Sequence, residues 1–323
     1  MKTWKQKSVL LTGATGFVGR HLYPRLLDEG LAIRCATRSP ERARNNHPNR
    51  HWVKLDVDDP STLREALKGC GSAFYLIHQM TDGEGYEERE AQAARDFRAA
   101  CEDAGVRRIV YLGGVAPTGK PSKHLASRLN TGRILRGGEV STIELRASMI
   151  IGAESASWRI CRDLAARLPL MLLPSWTQSK TEPLGIDDVV EALYGAWALP
   201  ANHGSAWYDI PGPEALTIEA ILDRTAAILG HRSHGISIPL LTPKLSSYWL
   251  RFVTRCDMHL ARELVQGLKT DLLAQDDSFW DLIGHEDRLS FDEATRRAIH
   301  AAPPPRLPAR AYEEVVGSIS GRT

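Results

Sequence analysis

Three glycines spaced three apart, Gly13, Gly16 and Gly19, close the stretch SVLLTGATGFVG at positions 8–19. An apolar run leads straight into them, so a strand, a turn and the start of a helix follow one another within a short span. Such a turn leaves unpaired backbone N–H groups at a helix mouth, where the helix dipole also favours negative charge. The chemistry it suits is holding a pyrophosphate. Gly13 permits the tight turn, Gly16 the close approach of a phosphate, and Gly19 the close packing of helix on strand. The spacing is GxxGxxG rather than the commoner GxGxxG, and glycine turns are frequent, so the triplet takes its weight from its surroundings.

The next chemical signal is Arg38, in ATRSPERA after the second apolar run. A dinucleotide site selective for NAD usually carries an acid here for the ribose hydroxyls. A guanidinium instead pairs with a 2′-phosphate and stacks on adenine, so NADP(H) is favoured over NAD(H). The plain alternative is that Arg38 and Arg42 form a solvated surface pair. Asp56, in KLDVDD, is placed to accept from the adenine amino group, or else to cap the helix begun by Pro60. Thr15, Phe17 and Val18 in the turn complete the expected cofactor contacts, with Val57, Leu76, Ile77 and His78 near the ends of later strands.

Those groups need elements to position them. SVLLT at 8–12, AIRCATR at 32–38, HWVKLDV at 51–57, SAFYLIH at 72–78, RRIVYLGG at 107–114 and STIELRA at 141–147 are short apolar or β-branched runs that read as strands. Helical stretches lie between them, and in the longest Ala91, Ala94, Phe97 and Cys101 share one face. Repeated strand–helix alternation implies right-handed βαβ units and an α/β doubly wound parallel sheet, a Rossmann fold. Pro24 falls inside the first helix, where a bend is expected. After about residue 150 the alternation loosens and prolines accumulate. Residues 1–150 are therefore expected to form the dinucleotide-binding domain, with segments near 180–210 returning to it. Residues 151–302 form a smaller, mostly helical cap over the substrate, and 303–323 a Pro-rich tail.

Composition narrows the function. Lys and Arg number 41 against 39 acids, a formal charge of +2, which is no nucleic-acid footprint. Five cysteines without any metal-ligand spacing fit a reducing cytosol and no metal site. The N-terminal apolar stretch is too short for a signal peptide, and LPLMLLP at 168–174 is too short to span a bilayer. A cytoplasmic protein is expected. TPKLSSYWLRFVTRCDMHLARELVQGLKTDLL mixes Leu, Trp and Phe with Lys and Arg; it reads as an amphipathic helix pair packed on a core rather than a membrane-surface segment.

On TGATGFVG, Arg38, LDVDD, YLIHQM, VYLGGV, SKHLASRLNTGRILR, ELRASMIIG and EPLGIDDVVEAL, which cover roughly residues 8–200, the chain resembles the short-chain dehydrogenase/reductase superfamily. It is most similar to the atypical, NmrA-like branch that includes relatives of the complex I 39-kDa subunit. The resemblance implies an NADP(H)-dependent oxidoreductase that moves a hydride to or from a carbonyl, quinone-like or conjugated C=C substrate. Typical members use a Ser or Thr after the fifth strand and a YxxxK pair on the next helix. This chain departs at all three points. Gly113 and Gly114 stand at the hydroxyl position, His124 stands for Tyr, and Arg128 for Lys, the last two still on one helical face. His124 becomes the candidate proton donor and Arg128 the holder of the nicotinamide ribose. Alternatively His124 caps or faces solvent, and the protein binds NADP(H) without catalysis, as a redox sensor or assembly factor.

Other groups could meet a substrate. Gln79, beside His78, ends the fourth strand at the cofactor crevice. Tyr86 lies in a glycine-flanked loop and could close over the site or pack its own helix. Arg146 falls where related proteins line the nicotinamide pocket, or forms a salt bridge to Glu144 or Asp187. Ser148 is a candidate replacement hydroxyl. Trp176, with Trp158, Trp249 and Phe252, is a candidate wall for an apolar substrate or else core. The expected partners are a small, apolar molecule and at most a second copy of the chain.

Overall fold

The computed structural model describes residues 7–77, 85–167, 170–173, 175–230, 234–237 and 270–302, the side chains of 167, 170–176 and 234–237 excepted. His78, Gln79, Trp249, Phe252, Cys256 and the 303–323 tail lie outside the described residues. So does most of the TPKLSSYW segment.

Six strands fall on the six apolar runs: β1 (Ser8–Leu11), β2 (Ile33–Thr37), β3 (His51–Lys54), β4 (Cys70–Tyr75), β5 (Arg108–Gly114) and β6 (Ser141–Ala147). They are joined by a seventh, Ala206–Asp209, in one sheet. The order across it is Ala206–Asp209, β6, β5, β4, β1, β2, β3, with every neighbour parallel. β2 and β3 build outward on one side of β1, and β4, β5 and β6 on the other. The direction of winding therefore reverses between β1 and β4, and the crevice beyond their carboxyl ends is where a doubly wound sheet places a ligand.

Both faces of the sheet are covered. On one, α1 (Phe17–Asp28) packs beside α7 (Ile186–Ala198) over Val9, Leu11, Phe74, Val110 and Leu145. On the other, α3 (Pro60–Leu67), α4 (Tyr86–Asp103) and α5 (Lys123–Arg136) cover Leu10, Ala73, Tyr75, Ile109 and Tyr111. The expected α4 face, Ala91, Ala94, Phe97 and Cys101, is buried. Helix α1 runs continuously through Pro24. A short helix α2 (Pro40–Asn46) went unread, because PERARNN is polar and buries only Ala43. The cap of α3 is Asp59, whose side chain accepts from the Ser61 N–H at 3.1 Å, so the capping role weighed for Asp56 is corrected.

Beyond β6 the chain builds a separate core. Trp158, Ile160 and Leu164 of α6 (Ala156–Arg167) pack on Ile218, Ile221 and Leu222 of α8 (Ile218–Ile228) and on Phe291, Ala294 and Ala298 of the helix Phe291–His300. Trp158 is fully enclosed there and belongs to that core, not to a cleft wall. No helix among the described residues is long and apolar enough to cross a membrane.

Candidate functional site

The crevice is built from β1 outward. Thr12, just past β1, donates its hydroxyl to the Phe74 carbonyl at 2.8 Å and accepts from the Leu76 N–H at 2.9 Å. This ties the glycine turn to the end of β4. Gly13 adopts the left-handed conformation (φ 63°), and a Cβ there would come within 2.6 Å of the Leu76 carbonyl oxygen. A Cβ on Gly19 would come within 2.3 Å of the Gly13 carbonyl oxygen. These two glycines are required by the turn's own packing.

Gly16 is different. Its N–H donates to the Gly13 carbonyl at 2.8 Å, and the only atom close to a Cβ there would be that same oxygen, at 3.1 Å. With Thr15 it is exposed at the mouth of α1. The exposed backbone in front of the first helical N–H groups offers the donor chemistry that suits a pyrophosphate. Phe17 lends its backbone to the turn. Its ring packs on Gly152, where a Cβ would lie 2.4 Å from it, and meets His21 edge-on at 5.1 Å. Val18 packs inward on the α1 core.

Arg38 follows β2 directly and is exposed, with no hydrogen bond or ion pair among the described residues. Arg42 is exposed one helical turn beyond. A second guanidinium at the turn escaped sequence reading: Arg50 donates from Nη1 to the Ala14 carbonyl at 3.4 Å and lies 4.0 Å over the Tyr23 ring. No local motif marks it, since the contact spans β2 and α2. Asp56 accepts from the Asp58 N–H at 3.2 Å, and Val57 is buried. Leu76 and Ile77 extend β4 along the crevice, Leu76 against Gly13.

At the end of β5 the two glycines have distinct causes. A Cβ on Gly113 would lie 3.2 Å from both the Glu144 carboxylate and the Tyr111 ring. A Cβ on Gly114 would lie 2.7 Å from Cδ1 of Leu125 and 3.8 Å from Nε of Arg128, both on α5. Ser122 caps that helix, accepting from the Leu125 N–H at 3.3 Å. Arg128 donates from Nη2 to the Leu112 carbonyl at 2.6 Å, and the Tyr111 hydroxyl donates to the Arg128 carbonyl at 3.1 Å. The Arg128 Nε is buried and makes no hydrogen bond among the described residues. His124 stands one turn earlier, half-buried. Behind Arg128, Ser127 donates to the buried Glu90 carboxylate, and Tyr75, Glu90, Tyr111, Arg128 and Thr131 line a small polar cavity. Burial pushes the phenols of Tyr75 and Tyr111 well above the ordinary range, which leaves neither as an acid near neutral pH.

Two of the other candidates, Arg146 and Ser148, are held by structural partners. Glu144 is fully buried; its two carboxylate oxygens take Arg136 Nε at 2.7 Å and Arg146 Nε at 2.8 Å. Arg146 also lies 4.1 Å over Trp207, whereas Asp187 pairs with Arg297 at 2.8 Å. Ser148 donates its hydroxyl to the Glu182 carbonyl at 2.7 Å. Tyr86 is the first residue of α4, half-buried after the left-handed Gly85. Trp176 sits in a short turn, Ser175–Gln178, and its side chain lies outside the description. The structure thus gathers the glycine turn, Leu76, Gly113, Gly114 and Arg128 around the β1–β4–β5 ends, with Arg38 at the adjoining end of β2.

A family model described as NAD(P)H-binding matches residues 13–150. This stretch is an NAD(P)H-binding domain. Its relatives extend the likeness unevenly. A Synechocystis sp. protein assigned as a dihydroflavonol 4-reductase is 24% identical over 272 residues, which are 74% of this chain and 77% of that one. Cinnamoyl-CoA reductase 1 of Petunia hybrida is 29% identical over 124 residues, 36% of this chain and only 37% of its own length. Among solved structures, Citrobacter sp. triphenylmethane reductase complexed with NADP(H) superposes with a TM-score of 0.70 at 16% identity, over 90% of this chain and 99% of that one. At that identity the fold is what the two share. The matched stretch begins just after β1 and carries β2–β6, so the turn, Arg38 and Arg128 all fall inside it.

Proposed function

We propose that this chain is an NADP(H)-dependent oxidoreductase that moves a hydride to or from a carbonyl, quinone-like or conjugated C=C group of a small, apolar substrate. The observation that carries the cofactor choice is Arg38, a guanidinium without a partner among the described residues at the end of β2, where an acid would serve the ribose hydroxyls of NAD. The reductase names of the relatives and the NADP(H)-bound structural neighbour support the same reading.

The N–H groups of the Gly13–Gly19 turn would hold the pyrophosphate and Arg38 the 2′-phosphate. When bound, the nicotinamide supplies or accepts the hydride. His124 is the proton donor in this reading, and Arg128 serves the nicotinamide end of the crevice. Arg38→Ala should weaken NADPH by about tenfold to a hundredfold while leaving NADH within about threefold, as titrations of tryptophan fluorescence would register. An equal loss of both cofactors would refute the assignment.

A second reading is kept alive by one observation. Gly114 carries no hydroxyl, and a Cβ there would meet the Leu125 methyl at 2.7 Å, so that methyl would have to turn aside for any side chain at the position. In that reading the protein binds NADP(H) without turnover, as a sensor or assembly factor. The two separate on a panel of ketones, enones and quinones with deuterated NADPH. Stereospecific loss of deuterium, abolished in His124→Ala with cofactor binding intact, supports the enzyme. NADPH that binds but is never oxidised supports the sensor.

A further inference from the structure

We propose that Arg20, one turn into α1, is a ligand of the cofactor pyrophosphate, and that Glu154 holds its guanidinium beside the helix mouth before the phosphates bind. The inference rests on the cofactor reading above and adds to it a charged group that the spacing of the glycine turn does not reveal.

The mouth of α1 is short of negative charge. Its N-cap, Gly16, has no side chain to accept from the first helical N–H groups, and no acid stands in the first turn. α7 also begins on a glycine, Gly185, but places Asp187 and Asp188 in its first turn. α5 and α8 are capped by the side chains of Ser122 and Thr217. Helix α1 instead puts a cation, Arg20, four residues after its cap. A cation there adds to the positive end of the helix dipole instead of offsetting it. The mouth therefore keeps a positive potential that no carboxylate of its own helix balances, and a ligand with two phosphates balances it.

Arg20 is placed to share in that contact. Helical side chains lean toward the N-terminus of their helix, so one that starts a turn in reaches back to the mouth. The Arg20 Nε donates to the Gly16 carbonyl at 3.4 Å, and Nη2 donates to the Glu154 carboxylate. Nη1 makes no hydrogen bond among the described residues, so the guanidinium has donors left over. Glu154 lies in the loop between the strand Ile150–Ile151 and α6, and Gly152 of that same loop meets the turn under the Phe17 ring. Both side chains of the pair are partly exposed. An ion pair in that setting is weak, and a pyrophosphate, with more charge and more acceptors than one carboxylate, competes for the guanidinium.

Two roles for the pair make opposite predictions. If Arg20 and Glu154 only clasp the loop to the helix, breaking the pair from either side has one effect. If Arg20 is a phosphate ligand, the two sides differ in sign. Arg20→Gln should weaken NADPH and NADH alike by about tenfold, because both carry the pyrophosphate and a charge-assisted hydrogen bond is lost. Glu154→Gln should tighten both by about twofold to fivefold, because it removes a negative charge beside the phosphates and releases Arg20 to them. Arg20→Lys should recover part of the loss, and high salt should shrink it. ADP-ribose, which has the pyrophosphate without the nicotinamide, should follow the same pattern.

Titrations of tryptophan fluorescence read each dissociation constant, and circular dichroism checks that the variants fold. Losses of equal size and sign in Arg20→Gln and Glu154→Gln would leave the pair a structural clasp and overturn the proposal. So would unchanged binding in Arg20→Gln, or a loss confined to NADPH, which would put Arg20 on the 2′-phosphate. In each of those cases the wild type still binds the dinucleotide and the cofactor reading stands. A wild type that binds neither NADPH nor NADH overturns the cofactor reading and the proposal with it.

Discussion

Gly19→Ala is expected to abolish NADPH binding and to cost the fold about 2–4 kcal/mol. The added methyl would lie 2.3 Å from the Gly13 carbonyl oxygen, 2.9 Å from its carbon and 3.0 Å from Cα of Ala14. All three are backbone atoms of the cofactor turn, so no side chain can swing aside. Relief requires α1 to move off the turn, and Leu22 and Leu26, both fully buried, anchor that helix in the core. The same displacement takes the first N–H groups of α1 out of the crevice. Gly30→Ala is the control: φ is also positive there, at 71°, but no atom lies within 4 Å of the new methyl. It should cost about 1 kcal/mol and leave the cofactor bound. Urea denaturation and calorimetric titration with NADPH read both quantities, and a Gly19→Ala protein that still bound NADPH normally would contradict the role given to this packing.

Glu144→Ala is the second large effect, about 3–5 kcal/mol of lost stability. Its carboxylate is fully enclosed between Arg136 and Arg146, and removing it takes from the largely buried Arg146 guanidinium its hydrogen-bonded counter-charge, leaving the Trp207 ring and the Asp209 carboxylate on the neighbouring strand. α5 makes room for that carboxylate with Gly132, where a Cβ would fall 2.3 Å from the carboxyl atoms. The two positions must therefore be coupled. Gly132→Ala should destabilise the wild type strongly yet cost little in a Glu144→Ala background, where the methyl partly fills the space left behind. A double-mutant cycle measures this, and additive effects would sink the account.

Much of the architecture was legible because each sheet strand is a short apolar run on a chain that alternates regularly. CGSAFY and RIVYLGG are buried along their whole length, as strands covered on both faces must be. The glycine turn was legible because its spacing reflects local backbone needs. The missed pieces have a common physical reason. PERARNN carries almost no buried side chain, so α2 leaves no periodic trace. Arg50 reaches Ala14 across 36 residues, and the fit between Gly132 and Glu144 joins a helix to a strand beneath it. Such contacts exist only once the chain has folded. Arg146 illustrates the same limit: its side chain satisfies either a substrate or Glu144, and only the register of β6 decides. Asp56 and Asp59 stand three apart in an acidic run, and the turn at Asp59, not composition, makes the latter the cap.

The packing at Gly114 sets what that position can carry. A serine placed there would bring its Cβ to 2.7 Å from Cδ1 of Leu125, the free end of a buried side chain on α5. A side chain at the end of β5 and the present Leu125 rotamer therefore exclude each other. The two positions behave as one unit, and any change at the strand end is answered first by the helix above it.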